Sequence, residues 1–574
     1  MPNNYFILDI IFFLCYYSLM FVRIKTSPNS PKKAVQIVES FREGNKVKQR
    51  IIRHVGTALV EEGLKTLLEL AEYIKSNIEQ ESQHGLFKPE DMAKMAIKAR
   101  DKKEKEEEEL KVNLKDLREE QRVIVGIHEV YGKIYGELGF DRIFRKPSSK
   151  PSAVKNLFHV VMARLANPLS KMGTVNDLSE NFGVELSLPS VYRMMDLIDE
   201  ETVERIQRRA YDAAVGIFKE RIKVVFYDCT TLYFESFTED ELRENGYSKD
   251  MKFNQPQVLL ALLVTEHGLP IGYEVYPGST FEGHTLKDAI TKIESKYHIK
   301  EVIVVTDSAM LSKENITLLD SLGKKYIIGA RLKSLPSQIQ EAVLDKTGYI
   351  KIKDGEEDYK EIQLNGKERL IVSFSEKHAK KDAYDRQKAI DKILTKLNKK
   401  KNKTVTDLIS NYGYKKFIKI TGDSTIEIDQ KKIEKEARWD GLHGVITNNF
   451  DMTAKEIINQ YHGLWQIEEG FRIAKHDLKV RPIFHWTPRR VRAHIAICFM
   501  AFTCARHLSY RVKIQKEPMS VEKIRQALTS VQMSILKHIK TGKLYGIPSA
   551  IRYEAKEIYH TVGLKLSDVP FLLR

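Results

Sequence analysis

The chain has 574 residues, and 94 Lys and Arg set against 78 Asp and Glu leave a formal charge of +16. With 42% hydrophobic and 30% charged residues it can bury a sizeable core, which excludes wholesale disorder and a multi-span membrane protein. The length suits about three or four domains, and the positive balance favours a surface that faces a polyanion. Cys15, Cys229, Cys498 and Cys504 are scattered without a C-x-x-C pair, so neither a disulfide framework nor a structural zinc is expected. The chain contains no G-x-x-x-x-G-K-[ST], H-E-x-x-H or G-x-S-x-G, which removes P-loop motors, zincins and α/β hydrolases.

Tyr5 to Val22 is apolar apart from Asp9, Ser18 and little else. It makes a poor secretory signal, because the first base is Arg23 and no small-residue cleavage site follows. A single membrane anchor followed by Arg23 and Lys25 is one alternative. The preferred reading starts the protein at Met20, treats residues 1–19 as an upstream extension and expects no membrane association.

Residues 20–56 contain two alternating runs, from Ala34 to Phe41 and from Lys46 to Val55, joined by Glu43-Gly44-Asn45. This predicts a β-hairpin, with Phe21 to Lys25 as a third strand and a basic polar face. Residues 57–220 read as helices, including a mixed-charge stretch from Asp101 to Glu120 and breaks at Pro168 and Pro189. They suit either a DNA-binding module or helices packed on the next domain. Residues 221–330 change character, with short apolar runs ending at Asp228, Thr265, Tyr276, Asp307 and Ala330. A helix is expected before the run that ends at Asp307 and another after Ser312. Three strands, a helix, a strand, a helix and a strand is the order of a ribonuclease-H-like mixed α/β sheet.

Residues 331–450 interrupt that core with β-like pieces at Tyr349–Ile352, Leu370–Phe374 and Phe417–Ile420, and with a basic helix. Lys377 to Lys403 holds eleven bases and three acids, a net +8 that favours phosphate contact over a merely solvated face. Residues 451–574 are expected to complete the core with a long helix from Thr453 to His476, followed by further helices.

Asp228 and Asp307 each close an apolar strand, where a carboxylate must be solvated, paired or bound to metal. Tyr461, Glu468 and Lys475 are spaced by seven, which on one helix aligns them along a face while Leu464, Trp465, Ile467 and Phe471 are buried. Two Asp and one Glu form an all-oxygen set suited to Mg²⁺ or Mn²⁺, and a pair of such ions serves phosphodiester displacement. Lys475 would then hold a phosphate oxygen, and Tyr461 would bond backbone or sugar. Glu469, turned about 100° from Glu468, is not counted as a ligand. His284 and His494 are expected to pack or cap. Arg481, Arg489, Arg490 and Arg492 contact phosphate or simply solvate the surface.

At these residues the sequence closely resembles the DDE transposases of bacterial insertion sequences, in the insertion-sequence-four superfamily, whose hallmark is Y-x2-R-x3-E-x6-K. Tyr461, Glu468 and Lys475 match it, with Leu464 in place of the Arg. Further likeness lies in Phe226-Tyr-Asp228-Cys-Thr-Thr231, in Val305-Thr-Asp307-Ser-Ala-Met-Leu311 and in the run from Trp439 to Asn448. The resemblance covers nearly everything from Met20 onward. It implies a ribonuclease-H-like core with a β-rich insertion before the Glu. It also implies a homodimer on double-stranded inverted-repeat ends and target DNA, cleaving and joining strands with two Mg²⁺ or Mn²⁺ held by Asp228, Asp307 and Glu468. Such an enzyme works on the nucleoid in the cytoplasm. Some relatives place an insertion Trp against a flipped base, a role open to Trp439, as is that of a buried anchor. Arg472, one turn beyond Glu468, is the nearest substitute for the missing Arg. The alternative reading is an inactive relative that only binds DNA; the intact carboxylates oppose it and Leu464 favours it.

Overall fold

The computed structural model describes residues 19–27, 30–43, 46–58, 61–82, 98, 110–218, 222–235, 238–246, 254–297, 303–351, 357–398, 417–421 and 425–573. The chain divides into a smaller unit, residues 1–119 with 536–547 and 569–574, and a larger one, residues 120–535 with 548–568. The stretch read as an upstream extension lies, up to residue 18, outside the described residues, as do residues 101–109 of the mixed-charge run.

In the smaller unit, strands β1 (Leu19–Ser27), β2 (Ser30–Glu43) and β3 (Lys46–Ala58) form an antiparallel sheet in that order. The pairing runs from Glu43↔Lys46 outward, and Phe21 pairs with Val38, so the hairpin and its third strand are present. Val35, Ile37 and Ala58 are buried against Leu64 and Ala71 of the helix Glu61–Ser82.

Strand β4 (Leu117–Ile124) precedes the helices Gly126–Glu137, Pro151–Ala166, Lys171–Phe182, Leu188–Met195 and Glu200–Phe218. Helix Pro151–Ala166 stops just before Asn167-Pro168, as expected of a residue pair that disfavours the helical region. These helices share one hydrophobic core with the sheet that follows: Leu157, Val160, Val161 and Met194 pack in the same cluster as Phe226 and Val491.

That sheet has eight strands in the order Asp358–Asn365, Glu368–Phe374, Leu442–Thr447, Lys325–Gly329, Ile303–Thr306, Val224–Tyr233, Gln257–Thr265 and Pro270–Pro277. Strands β5 (Val224–Tyr233), β6 (Gln257–Thr265) and β7 (Pro270–Pro277) form an antiparallel meander. The helix Glu282–Tyr297 then crosses to β8 (Ile303–Thr306), which runs parallel to β5. After the helix Lys313–Ser321 comes β9 (Lys325–Gly329), parallel to β8. A meander of three strands, with two further strands added in parallel beside the first of them, is the ribonuclease-H-like arrangement.

The insertion extends this sheet. Strands β10 (Asp358–Asn365) and β11 (Glu368–Phe374) form a hairpin, and β14 (Leu442–Thr447) pairs antiparallel with both β11 and β9. The edge of β9 is thereby covered rather than left open. Between β11 and β14 lie the helix Glu376–Asn398, a two-stranded ribbon of β12 (Ile418–Thr421) and β13 (Thr425–Ile428), and the helix Gln430–Ala437. Of the expected strand at Tyr349–Ile352, only a bridge from Ile350 to Tyr359 forms among the described residues.

The sheet is covered on both sides. Alternate residues of β5 serve two cores: Val224, Phe226 and Leu232 face one, and Val225, Tyr227 and Cys229 the other. The helix Pro488–Gln515 lies in the first core and is buried nearly all round from Val491 to Leu508. The C-terminal region is not wholly helical. After the helix Val521–Thr529, strands occur at Gln532–His538, Leu544–Pro548 and Phe571–Leu573 around the helix Tyr553–Thr561.

Candidate active site

The register of β5 and β8 carries the two aspartates on neighbouring parallel strands. Phe226 pairs with Val305 in parallel, and each aspartate follows two residues later, Asp228 within β5 and Asp307 just past the end of β8. Strand periodicity places Asp228 on the face of Phe226 and Asp307 on that of Val305, and both of those residues belong to the first core. Asp228 Oδ1 accepts the Cys229 N–H at 2.7 Å. Asp307 Oδ1 accepts the Ala309 N–H at 2.8 Å and caps the short 3₁₀ turn Ser308–Met310.

The glutamate comes from a helix over the same face. The helix Ala454–His462 starts at a capping box formed by Thr453 and Glu456, and buries Ile457 and Ile458 in the first core. Seven-residue spacing implies one uniform helix to His476. In the structure the path is interrupted at Gly463 and Leu464, resumes as Trp465–Arg472, and ends in a π turn, Ile473–Asp477. Lys475 therefore sits in a widened turn rather than on a straight stripe with Tyr461 and Glu468. At Gly463 the backbone comes so near β5 that a Cβ there would lie 2.4 Å from Phe226 Cζ.

Tyr461 links the elements. Its hydroxyl packs on Gly329 of β9, where an added Cβ would fall 2.3 Å from the phenol oxygen and 3.0 Å from Ser308 N. Burial, then the charges of Asp307 and Glu468, push the phenol up to about 12. The hydroxyl thus stays protonated as a donor beside two carboxylates. Glu468 itself is exposed, in the first turn of its helical segment.

The remaining candidates are distributed as follows. Lys475 is half-buried. Arg472 is half exposed, and its guanidinium is engaged by Asp477 at 3.5 Å and Glu469 at 3.7 Å. Leu464 packs against the first core, but Trp465 is 49% exposed, contrary to the expected burial. Trp439 is buried in the second core and lines a cavity of 680 Å³ that also touches Ser308, Tyr461, Arg331, Lys333 and Arg386. Arg386, in the basic helix, is held by Asp440, with one of the two bonds at 2.6 Å. Residues 399–403 of the basic stretch lie outside the described residues.

The arginines after the Glu468 helix hold other parts of the fold. Arg490 clasps Asp196 at 2.8 and 2.7 Å over the Tyr192 ring, Arg489 donates to the Asp196 carbonyl and Arg492 to that of Val275. Arg481 lies 4.9 Å over the Tyr233 ring. His494 is buried between Lys171 and the Val480 carbonyl. Sequence reasoning passed over Gly329, Gly463 and Ser308, which seat Tyr461 and its helix, because close approach between distant segments leaves no local signature.

Among the described residues, no three His, Cys, Asp or Glu side chains converge tightly enough to hold an ion as they stand. The donor set still fits a hard cation, because all three side chains are carboxylates and an ionised carboxylate offers about four oxygen acceptor positions. Among the same residues, no helix is long and apolar enough to cross a membrane.

Residues 219–504, spanning this sheet and its covering helices, match the family model of the transposase DDE domain. The chain is a DDE-type DNA transposase, an enzyme of metal-dependent DNA cleavage and strand transfer. Residues 22–85 match the N-terminal domain of IS1634 family transposases, which places it with the transposases of bacterial insertion sequences. No curated protein matches the chain. Among solved structures it is similar to a piggyBac transposase synaptic complex with hairpin DNA, at 9% identity and a TM-score of 0.36 over 70% of this chain and 76% of that one. It is also similar to a Mos1 transposase paired-end complex with the left transposon end, at 12% identity and a TM-score of 0.14 over 28% of this chain and 53% of that one.

Proposed function

We propose that Asp228, Asp307 and Glu468 are the catalytic carboxylates of this transposase and hold two Mg²⁺ or Mn²⁺ ions. In the same reading a homodimer acts on the element's inverted repeats and on target DNA, at the nucleoid in the cytoplasm. The spacing of Tyr461, Glu468 and Lys475 supports a place in the insertion-sequence-four superfamily. The observation that supports the assignment is the parallel pairing of Phe226 with Val305, two residues before Asp228 and Asp307, on the sheet face covered by the Glu468 helix.

Bound there, the ions would supply Lewis-acid activation of the attacking oxygen and neutralisation of the leaving one. The chain's own residues do the rest. Tyr461 donates its hydroxyl beside the carboxylates and fixes the helix against β9. Lys475 offers a point charge to a phosphate oxygen. Arg472 reaches phosphate only by giving up Asp477 and Glu469. Trp439 forms part of the cavity wall next to Tyr461, where an unstacked nucleotide has room.

The test uses Asp228→Asn, Asp307→Asn and Glu468→Gln. An amide oxygen still accepts the Cys229 or Ala309 N–H, so the cap survives while the charge is lost. Each variant should bind a duplex carrying the terminal repeat about as well as the parent, yet lose Mn²⁺-dependent cleavage by a factor on the order of 10³. An Asp307→Asn enzyme that nicks at the parental rate would refute the assignment.

A further inference from the structure

Glu357 stands at the entrance to β10, within the insertion, and its carboxylate reaches two other elements. Oε2 lies 3.4 Å from Nε2 of His462, the last residue of the helix Ala454–His462. Oε1 lies 3.8 Å from Nδ1 of His378, in the helix Glu376–Asn398. The His378 ring in turn meets that of His443, on β14, edge to face at 5.1 Å. Ser373, paired with His443 across β11 and β14, bonds the same carboxylate. His378, His443, His462 and Tyr461 wall a cavity of 160 Å³. None of the three histidines has a part in the chemistry above.

The arrangement depends on charge. Glu357 Oε2 and His378 Nδ1 are both shut off from solvent without a well-formed hydrogen bond. A carboxylate oxygen in that position is costly unless an opposite charge stands beside it. His462 supplies one when protonated. It is also the residue next to Tyr461, immediately before the Gly463 interruption, so whatever holds its ring restrains the backbone that carries the phenol.

We propose that Glu357 is a positioning residue for strand cleavage: by holding protonated His462 it seats Tyr461 against Gly329 and Ser308, beside Asp307 and Glu468. The proposal rests on the assignment of those carboxylates given above.

The groups facing His462 are Glu357, His378, His443 and Tyr461, with Asp382 adding to the field at His443. Contact with Glu357 raises His462 from its ordinary value, against the opposing effect of burial. The same contact with His462, helped by Ser373, holds Glu357 down at about 2. A raised histidine contributes fully below its unfolded value of about 6.5, and its contribution is lost as pH rises through the folded one. A depressed carboxylate contributes above its unfolded value and is lost only as pH falls towards 2. Within a workable assay range the latch therefore opens on the alkaline side alone.

The experiment measures single-turnover, Mn²⁺-dependent cleavage of a terminal-repeat duplex by the full chain from pH 5.5 to 9, for the parent, Glu357→Gln, Glu357→Asp and His462→Gln. Glu357→Gln should move the alkaline fall in rate to lower pH, the effect of removing one nearby opposite charge. Glu357→Asp should return part of that shift, His462→Gln should abolish the pH-dependent component, and duplex affinity should stay unchanged in all three. A Glu357→Gln profile that keeps the parental shape, lowered equally at every pH or not lowered at all, would overturn the proposal. So would a His462→Gln enzyme that retains the parental alkaline fall, which covers the case of a Glu357 variant that does not fold. Asp307→Asn separates the two readings: if it is inactive while the Glu357→Gln profile is unmoved, only the positioning role fails.

Discussion

At Gly463 the path of the Glu468 helix presses against the strand that bears Asp228, and a single methyl group there tests the whole geometry. Its φ of −59° is open to any residue, so the requirement for glycine is one of space and not of conformation. An alanine Cβ would sit 2.4 Å from Phe226 Cζ and 2.9 Å from the Gln460 carbonyl oxygen. Carbon atoms in contact are separated by about 3.5–4.0 Å, so the helix must retreat by roughly 1 Å or the Phe226 ring must turn. Overpacking costs about 1–3 kcal/mol, while alanine favours helix over glycine by about 1 kcal/mol. The net loss of stability is therefore small, about 0–2 kcal/mol. The rate should suffer more, because misplacing reacting groups by about 1 Å costs on the order of 100-fold. Phe226→Leu removes the obstructing ring edge. In the parent it should cost about 1–2 kcal/mol of stability through the cavity it leaves, but combined with Gly463→Ala it should recover about tenfold in rate. Thermal unfolding and Mn²⁺-dependent cleavage of a terminal-repeat duplex read the two effects separately. A Gly463→Ala enzyme cleaving within about twofold of the parent would show that the Glu468 helix is not held by its contact with β5.

Leu464→Arg, which would install the base usual in relatives, should destabilise by about 2 kcal/mol or more because Leu464 packs on the first core, as measured by thermal melts; equal stability with faster cleavage would mean the position faces DNA. Neutralising Lys380, Lys388 and Lys392 in the basic helix should flatten the salt dependence of duplex binding by about 0.9 in log–log slope for each phosphate no longer neutralised, and an unchanged slope would place that face in solvent. Lys171 is fully buried against His494, and burial, then the nearby Arg164, pull it down to about 7. The unfolded chain thus binds more protons than the folded one between about pH 7 and 10.4, and this site contributes stability that rises with pH over that window. Lys171→Met should remove that rise in chemical-denaturation measurements.

The core of the fold was legible because its signals are local. Uniformly apolar runs ending in Asp228 and Asp307, with turn residues and capping serines between them, mark strands and helices whose order alone defines the sheet. What escaped were features set by distant partners. Seven-residue spacing predicts a stripe of Tyr461, Glu468 and Lys475 only if every residue turns the helix by a constant 100° or so. The interruption at Gly463–Leu464 and the π turn at Ile473–Asp477 break that regularity, and Trp465 turns outward with them. Arg489 and Arg490 look like a phosphate-binding cluster in sequence because their partner Asp196 lies nearly three hundred residues earlier. The strand Gln532–His538 falls in a stretch expected to be helical, since its partners in the sheet cannot be read from its own seven residues.

The placement of the insertion explains how residues 308–467 can separate two of the proposed catalytic carboxylates. A domain hung on flexible linkers would leave the Glu468 helix held only by its own packing on the sheet. Here the insertion leaves from β9 and returns through β14, whose residues Val445 to Thr447 pair with Gly329 to Ile327. The chain therefore re-enters the core hydrogen-bonded to the strand on which Tyr461 rests. Asn448, one residue beyond β14, accepts the Tyr326 N–H and donates to the Lys324 carbonyl, pinning the exit to the start of β9. Only the short segment from Asn449 to Met452 separates that anchor from the capping box that begins the helix Ala454–His462. The approach to Glu468 is thus anchored twice, by the pairing of β14 with β9 and then by the packing of Gly463 on β5. A change in the hydrogen bonding of β14 should consequently disturb cleavage even though β14 carries none of the proposed catalytic carboxylates.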